Sequence, residues 1–208
     1  MVSLRHCRLL ALLTFALLSR TTLFAQSVPQ VADGKITGAG FTLTVSQDLM
    51  VQPGVTDEAV HGFYIDLARR ASPGSVQLRS ARMPSSYRYI AFDTKWDTGD
   101  MPSLDSVVNA IIDDPLDHIP PEIVAPGNVA LDSNLPTRVG GLPARRLVLK
   151  YKNTEKHKAI RHVVVAYNAR PDASAVVYII VLNTTEDNFQ EDVSVFSKLL
   201  AGFKLTSQ

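Results

Sequence analysis

The sequence predicts an α+β fold, an α/β/α sandwich with a central, mainly antiparallel sheet and a long C-terminal helix. Three strand-like runs, 146–152, 159–167 and 175–182, are joined by short polar connections, and a helical pattern over 185–201 follows them. The run 175–182 is apolar at every position, so both of its alternating faces need covering. It is therefore predicted to be an interior strand on which the C-terminal helix packs.

The C-terminal helix is predicted from the spacing of its apolar residues. They recur at intervals of four, three, four and three, which is one stripe of a helix: Phe189, Val193, Phe196, Leu200 and Phe203. Acidic residues crowd the first half and Lys198 lies near the end, as the helix dipole favours. We expect Thr184 or Thr185 to cap the helix and Gly202 to end it in the left-handed conformation.

The N-terminus has the pattern of a secretory signal peptide. Arg5, His6 and Arg8 precede an apolar stretch over 9–18, and small residues offer a cleavage site after Ala25. The apolar stretch is shorter than the roughly 20 residues that a membrane-spanning helix needs. We therefore expect a signal peptide over 1–25, a flexible leader over 26–39 and a single domain over 40–208. The mature protein is predicted to be secreted or periplasmic, without stable membrane insertion.

Charge and cysteine content exclude several classes of function. The chain has 21 basic and 20 acidic residues, and removal of 1–25 takes away three arginines, which leaves 18 − 20 = −2. A nearly neutral domain without a basic block gives no electrostatic reason to expect nucleic acid as a partner. The single cysteine, Cys7, lies inside the predicted signal peptide. The mature protein is thus predicted to have no disulfide, no thiol nucleophile and no cysteine metal site.

The first half of the mature chain is predicted to supply further strands. Alternating residues predict strands over 40–45, 63–68 and 87–96, with 76–81 as a hairpin partner and 46–61 as a loop. A second helix follows, because Leu104, Val107, Val108 and Ile111 share one helical face and Ser103 can cap it. Pro115 stops this helix.

The segment Pro115–Pro136 holds five of the twelve prolines and no convincing period. Long loops in compact domains are often functional, so the segment can be read as a partner site. An equally good reading is a proline-stiffened crossover on the surface.

Three stretches resemble the PsbP-like/Mog-type α/β/α sandwich family. They are Gly40-Phe-Thr-Leu-Thr-Val45, Gly141-Leu-Pro-Ala-Arg145 with the three strands after it, and the helix that ends in Leu199-Leu-Ala-Gly-Phe203. The resemblance implies a non-enzymatic accessory or binding role and supplies no catalytic residues. The chain departs from the family after the first strand, where many relatives have a Tyr-Pro-x-x-Trp-like turn, and in the proline-rich segment.

Candidate sites for chemistry are weak. Asp97-Thr98-Gly99 matches the aspartic-protease tripeptide, but a second copy is missing, so a turn is favoured. Asp93, Asp97 and Asp100 fit no calcium-loop template. A rigid loop with Asp113, Asp114, His118 and Glu122 offers nitrogen and oxygen ligands, and these four are the weak candidates for binding a ligand or partner. Scattered surface residues are the commoner explanation. We predict no catalytic residues, no metal site and no cofactor.

Other polar residues have structural readings. His162 is expected to be a core or edge histidine with a satisfied hydrogen bond. Asn183-Thr-Thr185 matches a glycosylation acceptor but is read as the helix cap. Five arginines on neighbouring strands could bind an anion, namely Arg69, Arg70, Arg79, Arg82 and Arg88. Nearby Asp66 and Asp93 favour instead a sheet face on which these charges form ion pairs.

Two functions remain open from the sequence. The first is an exported non-enzymatic accessory or binding protein with an unknown protein or small-molecule partner. The alternative is a small extracytoplasmic hydrolase whose site forms no motif, since catalytic triads assemble from distant positions.

Overall fold

The computed structural model describes residues 30–32, 34–38, 40–46, 49–54, 62–70, 88–97, 103–114, 129–152, 158–171 and 175–206. The predicted signal peptide, the expected hairpin partner over 76–81, and His118 and Glu122 lie outside these residues.

The described elements follow one another in a strand-rich order. In the first half these are β1 Gln30–Ala32, β2 Lys35–Gly38, β3 Phe41–Thr44, β4 Leu49–Gly54, β5 Gly62–Arg70, β6 Tyr89–Asp97 and helix α1 Leu104–Asp113. In the second half these are β7 Ala130–Val139, β8 Leu142–Lys152, β9 Lys158–Ala169, β10 Ala175–Thr185, a short 3-10 helix Glu186–Asn188, helix α2 Phe189–Ala201 and β11 Lys204–Leu205.

A seven-stranded antiparallel sheet with the order β4-β5-β6-β10-β9-β8-β7 forms the centre of the described fold. Strand β10 is the middle strand, between β6 and β9. All eight residues over 175–182 are buried except Ile179, which is partly buried. The predicted interior strand is therefore confirmed, and its uniform apolar sequence reflects cover on both faces.

One face of this sheet, called here the α2 face, carries α2 and a second sheet of order β1-β2-β3-β11. Aromatic side chains join the layers, with ring centroids of Phe41 and Phe92 at 4.5 Å and of Tyr178 and Phe203 at 5.2 Å. The opposite face, called the α1 face, packs on α1 through a valine- and leucine-rich cluster. An ion pair of 3.1 Å between Arg145 and Asp105 also links β8 to α1. The α/β/α arrangement is as predicted.

Helix α1 forms as its sequence pattern predicts. The Ser103 hydroxyl accepts a hydrogen bond from the Ser106 backbone N–H at 3.1 Å, which satisfies one of the unpaired donors of the first turn. Val107 and Val108 are buried against the sheet, whereas Leu104 and Ile111 are partly buried.

Helix α2 packs as predicted, but its ends differ from the prediction. Phe196, Leu199 and Phe203 are buried, while Phe189, Val193 and Leu200 are partly buried. Thr185 precedes the 3-10 helix without a side-chain capping bond, and its hydroxyl accepts from Asn188 Nδ2 instead.

Gly202 ends α2 at φ −81°, so the predicted left-handed conformation is wrong. The glycine serves close packing, because an added Cβ would lie 3.1 Å from Thr44 Cβ.

Five of the described strands formed where the sequence predicted none, and one of them is β11, which follows α2 and pairs with β3. Strands β1 and β2 occupy part of the expected flexible leader, and Ile36 in β2 is fully buried. Strand β4 lies in the expected loop 46–61, and β7 includes the last residues of the Pro115–Pro136 segment. These assignments are corrected for the described residues.

A tight turn at Gly140 and Gly141, with φ of 56° and 85°, joins β7 to β8. Both values belong to the left-handed region, which suits the two-residue hairpin turn that glycine favours.

The two outermost strands of the described sheet share an irregularity. Strand β4 contains Pro53 and shifts register between Leu49 and Met50. Strand β7 contains Pro136 and shifts register between Leu131 and Ser133. Leu131 and Leu135 in β7 remain 44% and 51% exposed.

Candidate functional site

Four polar residues stand opposite one another on four neighbouring strands and form what we call the polar row. Asp66 of β5 pairs with Tyr89 of β6, Tyr89 pairs with Asn183 of β10, and Asn183 pairs with Arg161 of β9. Residues directly opposite in an antiparallel ladder project from the same face of the sheet. Val181, two residues before Asn183, packs in the cluster under α1, so the row lies on the α1 face.

The polar row is buried. The exposed fractions are 2% for Asp66, 5% for Tyr89, 0% for Asn183 and 8% for Arg161. Charged and amide side chains rarely reach such burial, because loss of water costs free energy unless other groups replace its hydrogen bonds. Three of the four, Asp66, Asn183 and Arg161, are residues of this kind.

Asn183 is the centre of the row and its most unusual member. Neither its side-chain oxygen nor its side-chain nitrogen has a hydrogen-bond partner among the residues that the structure describes. A buried amide in this state is rare in proteins and calls for an explanation. In the sheet, Asn183 is paired with Tyr89 on one side and with Arg161 on the other. Its side chain can offer two amide hydrogens and one acceptor oxygen.

The charge of Arg161 reaches across Asn183 to the phenol of Tyr89. Burial raises the pKa of Tyr89, and the positive charge of Arg161 partly offsets this effect. The phenol therefore keeps its proton at neutral pH and can donate a hydrogen bond. Phenol, amide and guanidinium together place three kinds of donor on one stretch of the sheet.

An apolar row borders the polar row on the same face. The apolar row lies two residues along the strands from the polar row. Its members pair across β6, β10, β9 and β8 and are, in that order, Ala91, Val181, Val163 and Leu147. Val181, Val163 and Leu147 are buried in the cluster that includes Val107 and Val108 of α1. The apolar row is thus covered by α1.

The α2 face carries a separate polar network with a structural role. Both carboxylate oxygens of the buried Asp192 accept from Arg88, Oδ1 from Nη2 at 2.6 Å and Oδ2 from Nε at 2.9 Å. The Thr184 hydroxyl donates to Asp192 Oδ2 at 2.6 Å, and Arg88 also contacts Glu191 at 3.4 Å. These bonds raise the pKa of Arg88 and fasten the start of α2 to β6 and β10. Arg88 thus pairs with α2.

The structure does not bring the acidic candidate residues of the sequence together into a site. Asp93 Oδ1 accepts from the Thr94 backbone N–H at 2.8 Å, and Asp97 is the last residue of β6. Asp113 and Asp114 are exposed at the C-terminal end of α1, while His118 and Glu122 lie outside the described residues. Within the described ranges, no group of three or more His, Cys, Asp or Glu side chains could hold a metal ion.

His162 is a core histidine of the α2 face, as expected, with its ring edge-on to Phe189 at 5.2 Å and to Phe196 at 6.4 Å. The expected satisfied hydrogen bond is wrong for Nδ1, which has no partner in the described part of the chain. Burial, and then the charge of Arg146, lower the pKa of His162 to about 4, against a smaller opposing effect of Asp132. The imidazole is neutral at physiological pH.

The sequence reading of Asn183 is also corrected. Asn183 lies in the middle of a sheet row with no exposed surface, so in the folded chain it is not an accessible glycosylation acceptor, and the neighbouring threonines do not cap the helix with their side chains. The polar row could not be predicted from the sequence because its members come from four strands and are brought together only by strand pairing. One signal was present: a fully polar residue directly follows the eight apolar residues of β10.

Comparison with known proteins gives matches among solved structures. No family model matches the chain, and no curated protein matches it. LpqN of Mycobacterium tuberculosis, which is involved in cell envelope biogenesis, is 11% identical with a TM-score of 0.50, over 80% of this chain and 83% of LpqN. Cyanobacterial PsbP (CyanoP) of Synechocystis sp. PCC 6803 is 11% identical with a TM-score of 0.48, over 88% and 99%. The chain shares the fold of LpqN.

A third similar structure is PA94 of Pseudomonas aeruginosa, a protein of unknown function and putative regulator. It is 14% identical with a TM-score of 0.40, over 76% of this chain and 98% of PA94. At these identities the similarity concerns the fold alone. Neither described helix of the chain has the length and apolar character that a bilayer crossing requires.

Proposed function

We propose that this protein is an exported, non-enzymatic accessory protein that binds a small molecule at the polar row. The observation that carries the proposal is Asn183, whose amide is enclosed and has no described hydrogen-bond partner. Each unsatisfied buried group costs about 1–3 kcal/mol, a large share of a typical stability of about 5–15 kcal/mol. A purely structural position in β10 would have a further apolar side chain, as at 175–182.

The chemistry of the row suits binding. Acyl transfer by serine or cysteine needs a nucleophile beside a base, and the row contains no serine, thiol or imidazole. Tyr89 keeps its proton because burial raises its pKa, so it acts as a hydrogen-bonding group. The row thus provides no support for the hydrolase alternative.

Export rests on the sequence pattern of residues 1–25. We expect the mature protein to begin near Gln26, outside the cytoplasm. N-terminal sequencing of the protein recovered from the extracytoplasmic fraction tests this, and an intact Met1 in the membrane fraction would contradict it.

Ligand binding can be tested at Asn183 itself. In a ¹⁵N-labelled protein, the side-chain NH₂ signals of Asn183 are the ones that disappear in Asn183→Leu. The protein is titrated at millimolar concentrations with small probes of four classes: carboxylates, amides, polyols and ammonium compounds. We expect at least one class to shift the Asn183 signals while those of Asn134, exposed on β7, stay in place. If no class moves the Asn183 signals, the polar row is not a binding site.

A further inference from the structure

We propose that the outer edge of β7 binds an extended, acidic peptide segment of another protein, which pairs with β7 as a further strand of the sheet. The polar row ends at β9, and β8 lies between β9 and β7, so the two sites are separate. This inference therefore goes beyond the proposed function and does not depend on it.

The edge of β7 is long and open. Strand β7 ends the order of the seven-stranded sheet, and β8 is the one strand that pairs with it in the described part of the chain. All of its residues are exposed except Ser133 and Val139. An edge strand turns alternate backbone N–H and C=O groups outward, where an extended peptide can form the next ladder of hydrogen bonds.

Two exposed leucines lie on opposite faces of this edge. Leu131 pairs with Leu149, which packs in the cluster under α1, so Leu131 lies on the α1 face. Leu135 pairs with Arg146, which pairs in turn with Val164 of the core on the α2 face. The side chains of an added strand also alternate between the two faces, so such a strand would cover one leucine on each face.

Two arginines near these leucines carry charges without an ion pair. Arg146 stands opposite Leu135 on the α2 face, and Arg138, three residues after Leu135, projects from the α1 face. Both arginines are exposed, and neither contacts a carboxylate among the residues that the structure describes. Arg138 donates to the backbone carbonyl of Gly141 at 2.9 Å, a neutral group that leaves the positive charge uncompensated.

The neighbouring charges of this edge are compensated. Arg145 forms an ion pair with Asp105 of α1 at 3.1 Å, and Lys150 forms one with Asp132 at 2.8 Å. The described side chains of the β7–β8 hairpin therefore have an excess of positive charge. A negatively charged partner is attracted to this edge, and a positively charged one is repelled.

The spacing of the two arginines defines the partner. Arg146, at the level of Leu135, and Arg138 are about 10 Å apart along β7, at 3.3 Å per residue. A matching strand has two carboxylates three residues apart, one for each face, and apolar residues beside them for the leucines. A second copy of this chain matches less well, because it would bring like charges together and both strands would lack the N–H of Pro136.

The probe is an eight-residue peptide of threonine and valine with two glutamates three positions apart and both ends capped. Its binding to the folded protein is measured by fluorescence anisotropy. We expect it to bind at least tenfold more tightly than the same peptide with lysine or glutamine in place of glutamate. Methylation of alternate backbone nitrogens should abolish binding, because it removes the donors of the ladder. In the presence of the probe, hydrogen exchange of the β7 amides should slow.

Three variants locate the contacts. Arg146→Gln, Arg138→Gln and Leu135→Thr should each weaken binding of the glutamate peptide at least threefold. Lys198→Gln removes an exposed charge from α2 and should leave binding unchanged. All four positions are exposed, so the variants should remain folded, and circular dichroism checks this.

Several results would overturn the inference. Equal binding of the glutamate and lysine peptides would show that the partner is not acidic, and equal binding of the methylated peptide would exclude strand pairing. Phosphatidylglycerol vesicles that displace the probe and lose affinity in both arginine variants would assign the surface to a membrane. Dimers with slowly exchanging β7 amides in the absence of the probe would assign the edge to a second copy. None of these results affects the polar row, whose test is the Asn183 side-chain signal.

Discussion

Replacing Asn183 with leucine should stabilise the protein, although most substitutions in a core destabilise. The side-chain oxygen and nitrogen of Asn183 are buried without described partners, and each such group costs about 1–3 kcal/mol. Leucine is of similar size and removes both costs, while its different branching offsets part of the gain. We expect the free energy of unfolding to rise by about 2 kcal/mol. For a domain of this size that corresponds to an increase in Tm of about 4–8 °C.

Urea denaturation followed by circular dichroism measures this change. The midpoint of Asn183→Leu should rise at constant slope, because the surface exposed on unfolding is nearly the same. Asn134→Leu is the matched control, since Asn134 is exposed on β7 and the same substitution there should change stability by less than about 0.5 kcal/mol. Destabilisation of Asn183→Leu by 1 kcal/mol or more, on the order of an ordinary core substitution, would show that the amide is satisfied in the folded protein. Asn183 would then have no unused hydrogen-bonding groups to offer a ligand.

Three other predictions concern the α2 face. Phe196→Ala should cost about 3–5 kcal/mol in a denaturant titration, because Phe196 is 1% exposed, and Ser194→Ala, on the exposed side of α2, should leave the midpoint unchanged. Asp192→Ala should cost about 3–5 kcal/mol by leaving Arg88 without its bidentate partner, and an unchanged midpoint would mean that water replaces this pair at no cost. His162 binds its proton in the unfolded chain near pH 6.5 but in the folded chain only near pH 4. The unfolded state therefore binds more protons between these values, and stability should fall by about 3 kcal/mol as pH falls through that window. In His162→Leu the same fall should be smaller by that amount, and equal pH profiles of the two proteins would contradict the lowered pKa.

The parts of the fold that the sequence predicted are those with a regular burial pattern. Strand β10 is covered on both faces and α2 on one, so uninterrupted apolar residues and a helical stripe revealed them. Strand β7 shows no such pattern, because nearly all of its residues are exposed, and its proline suggested a loop. Strands β1, β2 and β4 are short, and their pairing with β2, β3 and β5 determines their conformation more than their own residues do.

The candidate site could not be predicted from the sequence, for a related reason. Asp66, Tyr89, Asn183 and Arg161 are up to 117 positions apart (183 − 66), and only the register of four strands brings them into one row. A change of one residue in any of these registers would turn a member of the row toward the other face. The sequence candidates, in contrast, were chosen for closeness along the chain, which does not imply closeness across a sheet.

The prolines of β4 and β7 lie on the two outermost strands of the described sheet. An outer strand exposes backbone donors and acceptors that can pair with another molecule, and the exposed Leu131 and Leu135 would add apolar contact to such pairing. Pro136 has no backbone N–H to donate, and β7 shifts register between Leu131 and Ser133, an irregularity of the kind that bends a strand. Pro136→Thr should therefore increase self-association as protein concentration rises, measured by sedimentation velocity, whereas Thr137→Val should not. An equal sedimentation coefficient for Pro136→Thr and the wild type at all concentrations would show that the bend alone keeps the molecules apart.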